Sequence, residues 1–282
     1  MLVEDADPNL LRTAGAVLGL VLGAVGTKVA DVLPSRYGIT HLVTGAARSR
    51  RKVALVVLSA LCVAGIAHIL TTAPDVTLAH AGFLLVTNAL ITSAVLAAAA
   101  IDLEHMILPN ELTIGGAVLC LVSSPLRAIE LQGSIIGALV GLAIAYLPFL
   151  LYKRLRKQSG MGLGDAKLTL LAGAWHGAAG AMFVLFLGAL QQALAAVVMR
   201  LLGITYDEPE SVKAELVELR ARAEAGDEEA RSELADDPMA GEARDGTLGM
   251  RLPLGPFLAL ACVEVLFLRR WLAEHVLGWL FE

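Results

Sequence analysis

Residues Leu168–Gly203 read LTLLAGAWHGAAGAMFVLFLGALQQALAAVVMRLLG. As a single helix this apolar run would extend about 54 Å, too long for one crossing of a ~30 Å hydrocarbon core and tight for two. Gly177-Ala178-Ala179-Gly180 is the natural break. The reading that follows is a short sixth membrane segment and a seventh ending near Arg200. Just upstream stands Gly160-Met161-Gly162-Leu163-Gly164-Asp165-Ala166-Lys167, preceded by the basic cluster Lys153-Arg154-Leu155-Arg156-Lys157. Three glycines in five residues disfavour ordinary helix and deliver one carboxylate, Asp165, to the membrane edge.

Working outward, the same character recurs. The 282 residues are 57% hydrophobic, with a mean hydropathy of +0.70. Several long runs carry almost no charge, as spanning helices do. The fold class expected is all-α: a polytopic membrane bundle of about eight transmembrane helices. Spans are expected at about 10–33, 53–70, 77–101, 111–124, 133–152, the two segments after Leu168, and 254–268. The first span carries Gly15, Gly19, Gly23 and Gly26, small residues that permit close helix packing. Pro34 is expected to end it, with Lys28 and Asp31 pairing with each other or snorkelling. Met1–Pro8 is acidic and lacks the basic start of a cleaved signal peptide.

Charge sets the orientation. Residues 35–52 contain Arg36, Arg48, Arg50, Arg51 and Lys52 and no acid, which places that loop, and the 153–157 cluster, in the cytoplasm. Arg269 and Arg270 then fall on the far side, followed by Trp271 and Trp279, residues suited to an interface belt. The net charge of −5 hides an asymmetry, because roughly half of the 27 acids lie between Asp207 and Asp245. The domain reading is therefore a transmembrane domain, 1–203 and 253–282, with an acidic cytoplasmic insert, 204–252. Within the insert, 211–235 reads as a surface helical hairpin broken at Gly226-Asp227. No basic face with interleaved aromatics indicates nucleic acid. Cys62, Cys120 and Cys262 lie far apart in apolar runs and read as small buried residues, not as a zinc site or disulfide framework. His68, His80 and His176 read as packing or interface residues, and Glu104, His105 and Glu111 as polar neighbours of the candidate site.

On this topology Asp102 and Asp165 share one side, each at the junction of a span with a short helix. Acids so close to hydrocarbon are costly and read as functional. Two carboxylates in a partly dry site can share one proton, one activating water and the other polarising a carbonyl. From the residues alone, a helix cap, an interface charge or a proton path stays open for each.

Three motifs add a resemblance. Ile101-Asp102, then Leu108-Pro109-Asn110-Glu111-Leu112-Thr113, resembles the first motif of the type IV prepilin peptidases. Gly160 to Leu168, continuing to Gly173-Ala174-Trp175, resembles their GxGD motif. Leu252-Pro253-Leu254-Gly255-Pro256-Phe257-Leu258-Ala259 resembles their C-terminal element. The resemblance covers about residues 90–265, less the insert. It implies an aspartic endopeptidase with Asp102 and Asp165 as the catalytic pair and no metal or other cofactor. Gly162, Gly164, Lys167, Pro109, Asn110, Pro253, Gly255 and Pro256 are the implied supporting or substrate-binding residues. Lys167 would tune a nearby carboxylate or hold its loop.

The implied partners are prepilins and pseudopilins, cut at the cytoplasmic face of a bacterial inner membrane, with the lipid bilayer around the enzyme. The acidic insert is expected to attract a basic leader peptide. Residues 35–52 lack the paired CxxC motifs of the bifunctional members, which argues against zinc and against N-methylation of the new N-terminus. The alternatives are a presenilin-like or preflagellin-like GxGD protease, and a transporter using the two acids as a proton relay. No Pro-Ala-Leu supports the former, and the nearly pure apolar spans argue against the latter.

Overall fold

The computed structural model describes residues 3, 7–40, 42–72, 76–127, 129–156, 163–204, 206, 209–236 and 252–275. Among them lie nine α-helices: α1 (Pro8–Arg36), α2 (Gly45–Thr71), α3 (Leu78–His105), α4 (Asn110–Ser123), α5 (Leu131–Arg156), α6 (Leu163–Leu201), α7 (Glu210–Glu224), α8 (Glu228–Asp236) and α9 (Gly255–His275). Five stretches are long and apolar enough to cross a membrane: α1, α2, α3, Leu131–Pro148 of α5, and α6. The fold is an all-α, multi-pass bundle. The eight expected segments fall on seven helices, because the sixth and seventh are joined in α6. The fourth, α4 with its 3₁₀ turn Ser124–Leu126, is apolar but shorter.

Helix starts follow local chemistry. The Asp7 carboxylate accepts from the Asn9 amide at 2.9 Å, and Pro8 follows at the first helical position. Pro34 does not end α1, which continues to Arg36. Proline removes only its own N–H, so the helix survives two more residues, and the chain turns at Gly38 (φ 80°). The last helix likewise runs past 268 to His275. Trp271 is exposed on it, while Trp279 lies outside the described residues.

Small residues set the tightest packing. A Cβ built at Gly19 would lie 2.6 Å from Ala60 Cα, and one at Gly23 2.7 Å from Val56 Cα. Only glycine lets the α1 and α2 backbones approach this closely. The α5–α6 contact is made the same way, with Gly137 against Gly173 and Gly141 against Thr169.

The expected break in α6 is at Gly177, whose φ of 81° and ψ of −179° leave the helical region. The first limb, residues 163–176, is therefore about 21 Å long and too short to span. Its last carbonyls lose their helical partners and need others. Arg127 Nη1 donates to Trp175 O at 2.9 Å. Its Nη2 donates to Ala174 O at 3.1 Å and Cys120 O at 2.6 Å. Ser134 Oγ adds a bond to Ala174 O at 2.6 Å.

The main core lies between α3, α4, α6 and α9, around Ile91, Val95, Leu168, Leu171, Trp175 and Leu258. Its spans are less purely apolar than expected. Trp175 Nε1 donates to Asn88 Oδ1 at 2.9 Å, and Gln191 Nε2 donates to Glu264. His176 packs as expected: it is buried, stacked on Trp175 at 4.6 Å and bonded to Cys262 O at 3.0 Å. All three cysteines are free, Cys120 and Cys262 buried and Cys62 half-buried.

The hairpin α7–α8 forms where expected, turning at Gly226 (φ 99°). Asp227 Oδ1 caps α8 by accepting from the Glu229 and Ala230 amides at 3.0 and 3.2 Å.

Candidate active site

The site begins with the end of α3. Asp102 lies in the last turn, 5% exposed. The helix stops because Met106 adopts the left-handed conformation (φ 54°, ψ 32°) and donates its N–H to Asp102 O at 2.8 Å. The chain then passes through Leu108 to Pro109, which offers α4 no side-chain cap. Tyr37, just beyond α1, supplies one instead. Its hydroxyl accepts from the Asn110 amide and donates to Glu111 Oε2, both at 2.8 Å. Partial desolvation and the adjoining Glu111 carboxylate raise the phenol above its ordinary pKa, against the opposing pull of the Asn110 amide.

The start of α9 meets this turn from the other side. The Gly255 amide faces the Asp102 carboxylate. A Cβ on Gly255 would lie 2.9 Å from Asp102 Cγ and 3.2 Å from Leu108 Cδ1, inside ordinary contact distance. Glycine alone admits the carboxylate there, and the N-terminal end of the α9 dipole points toward it. Pro256 sits at the second helical position, where no N–H is missed. Leu254 O receives the first amides, from Phe257 and Leu258, both at 3.0 Å. Among the described residues, Asp102 Oδ2 is buried and has no hydrogen-bond partner.

Asp165 comes from the first turn of α6 and is half-buried. It lies close enough for its charge to act on Asp102. Gly164 packs on Leu108, with a built Cβ 3.1 Å from Leu108 Cβ and Cδ1. Leu108 thus touches both Gly164 and Gly255 and joins three stretches far apart in sequence. Pro109 and Asn110 follow directly, and Pro253 precedes α9. Gly162 lies outside the described residues. Lys167 is half-buried and is not among the groups acting on Asp102.

Sequence reasoning missed the braces around this turn. Asp31 pairs with Arg48 at 2.6 Å, with Lys52 at 3.5 Å and with Arg51, rather than with Lys28. Arg51, its side chain 7% exposed, also pairs with Glu104 and so ties α1 and α2 to the final turn of α3. A basic residue in the first turns of a span beside acids on two neighbours was the available signal, but the pairing itself is tertiary. On the opposite side, Tyr206 Oη donates to Leu103 O at 2.8 Å, and Ser211 Oγ lies 3.5 Å from Nδ1 of the buried His105.

Chemically, the arrangement is a pair of neighbouring carboxylates at helix ends, one deeply buried, beside a close-approaching backbone amide. Two acids so placed are the parts needed for acid–base work on water and a peptide carbonyl.

Residues 89–197, which include Asp102 and Asp165, match the model of the type IV leader peptidase family. Curated relatives include a prepilin leader peptidase/N-methyltransferase of Dichelobacter nodosus, 35% identical over 91 residues, 32% of each chain. The protein of the same name from Aeromonas hydrophila is 34% identical over 105 residues, 36% of this chain and 35% of that one. The Neisseria gonorrhoeae relative is 31% identical over 112 residues, 39% of each chain. The matched stretch thus spans little more than a third of these relatives at most. No solved structure matches.

Proposed function

Residues 89–197 match the model of the type IV leader peptidase family, and on that likeness we propose that this chain is an aspartic endopeptidase that removes basic leaders from prepilins and pseudopilins. The observation that carries the proposal is Asp102, buried against Gly255 and within reach of the charge of Asp165. The two acids stand on separate helices at one end of a membrane bundle. In the reaction proposed, the pair holds one proton. The ionised carboxylate takes a proton from water, whose oxygen attacks the scissile carbonyl carbon. The protonated carboxyl donates to the carbonyl oxygen. Collapse of the tetrahedral intermediate breaks the C–N bond, and the leaving amine takes up a proton. The orphaned Oδ2 of Asp102 supports this reading, since a buried polar atom without a partner is costly unless substrate or water meets it. The short first limb of α6 supports it too, by leaving room for water at membrane depth.

The same reading places the site on the cytoplasmic face of the inner membrane, because Arg36, Arg48 and Arg51 lie at the end of the bundle where the acids lie. Residues 1–203 and 253–282 are then the peptidase domain, and 204–252 an insert on that face. Gly164, Pro109, Asn110, Pro253 and Pro256 shape the site. Gly162 and Lys167 are assigned a supporting role beside Asp165.

Co-expression with a prepilin bearing a Gly/Phe junction tests the proposal. Cleavage by the wild type and none by Asp102→Ala or Asp165→Ala is expected. Cleavage surviving in either variant refutes the dyad. The mass of the mature N-terminus reads methylation in the same sample.

A further inference from the structure

A helix leaves its last four carbonyls without partners in its own chain of hydrogen bonds. At the end of α3 the Asp102 carbonyl is taken by the Met106 amide. The next carbonyl, that of Leu103, is taken by the hydroxyl of Tyr206 at 2.8 Å. Tyr206 lies between α6 and α7, at the entrance to the acidic insert. Five residues further on, Ser211 in the first turn of α7 lies against His105. The insert therefore touches the last turn of α3 at two points, on the two residues that flank Glu104. It is not tethered only by its chain ends.

From these contacts we propose that the insert is a positioning element of the site: Tyr206, aided by Ser211, fixes the last turn of α3 and through it the carboxylate of Asp102. The inference rests on the dyad reading. Asp165 stands on a different helix, which is locked against α5 by Gly137, Gly141 and Gly173 and capped by Arg127. Rotation or fraying of the α3 end thus moves Asp102 relative to Asp165. Reaction rates are sensitive to such displacement, while binding of a leader and a membrane helix elsewhere is not. Insert and active site are coupled through side-chain hydrogen bonds to the end of α3, distinct from any attraction of the insert's acids for a basic leader.

The test uses the full chain in nanodiscs with a prepilin-type peptide, comparing wild type, Tyr206→Phe, Ser211→Ala and Asp102→Asn. Tyr206→Phe deletes one oxygen and keeps the ring. Its kcat is expected to fall about five- to tenfold, the equivalent of one lost hydrogen bond, with KM within about twofold. Hydrogen exchange across residues 98–107 is expected to speed up in the same variant. Ser211→Ala should shift both readouts in the same sense and by less. Unchanged kcat and unchanged exchange in Tyr206→Phe, with Asp102→Asn inactive, overturn the inference and leave the dyad standing. A raised KM with unchanged kcat also overturns it, assigning the insert to leader binding. Activity surviving in Asp102→Asn overturns the dyad and the inference together.

Discussion

Gly255→Ala adds one methyl group beside the proposed catalytic carboxylate. Because Gly255 already opens a helix and has no left-handed backbone, alanine suits the position at least as well on conformational grounds. The whole effect then falls on what the new Cβ meets. It would stand 2.9 Å from Asp102 Cγ and 3.2 Å from Leu108 Cδ1. Carbon atoms rest at about 3.5–4.0 Å, so the carboxyl group must retreat by roughly 0.6–1 Å or α9 must lift by as much. Overpacking of this kind costs about 1–3 kcal/mol. A displacement near 1 Å at a reacting group can cost about 100-fold in rate. Cleavage of a prepilin peptide by purified enzyme in nanodiscs should therefore fall about 100-fold, with the melting temperature lowered by only a few degrees. Gly164→Ala provides the comparison. Its Cβ meets Leu108 rather than a carboxylate, at 3.1 Å, and the loss should be several-fold. A Gly255→Ala enzyme that cleaves at the wild-type rate would falsify the placement of Asp102 against the start of α9.

Three other outcomes follow from the braces and caps. Arg127→Gln strips the carbonyls of Cys120, Ala174 and Trp175 of a charged donor, at about 1.5–3 kcal/mol per bond. It should lower the melting temperature in detergent far more than Arg127→Lys does. Arg51→Met leaves Asp31 and Glu104 together without their shared cation and should cost about 3–5 kcal/mol, measured by thermal unfolding. Neutralising Glu104 as well, in Arg51→Met/Glu104→Gln, should restore part of that loss, since Asp31 keeps Arg48 and Lys52. If the double variant is no better than the single one, the unpaired Glu104 charge is not the source of the cost.

Hydrogen bonds from Arg222 and from the first amides of α8 hold Asp227 below the usual aspartate range. A lowered carboxylate pKa contributes stability above the unfolded value of about 3.9 that is lost as pH falls through the folded one. Amide exchange at Glu229 and Ala230 should therefore stay protected at pH 4–5, after correction for intrinsic rates, and lose protection at lower pH. Loss of protection already at pH 5 counts against the cap.

Much of this molecule was legible in its residues. The apolar runs fixed an all-α membrane bundle, because hydrocarbon leaves a spanning backbone few ways to satisfy its own hydrogen bonds. The break at Gly177 was visible from the length of the run and the glycines in it, and the hairpin turn from Gly226-Asp227. Asp102 and Asp165 stood out because a carboxylate at a membrane edge is expensive, and the neighbouring motifs added a family resemblance.

Tertiary structure decided the rest. Pairwise partners depend on how helices rotate and slide against one another, and composition holds no record of that. Arg51 could have been a topological marker alone, but the packing of α1, α2 and α3 turned it into a bridge between Asp31 and Glu104. Arg127 belongs to no motif, and the broken limb of α6 gave it carbonyls to cap. Tyr37 and Tyr206 carried no motif, yet each reaches a helix end whose amide or carbonyl lacked a partner. Gly255 read as a supporting or substrate-binding residue. Its nearness to the Asp102 carboxylate follows only from where α3, α4 and α9 meet, with Leu108 between Gly164 and Gly255.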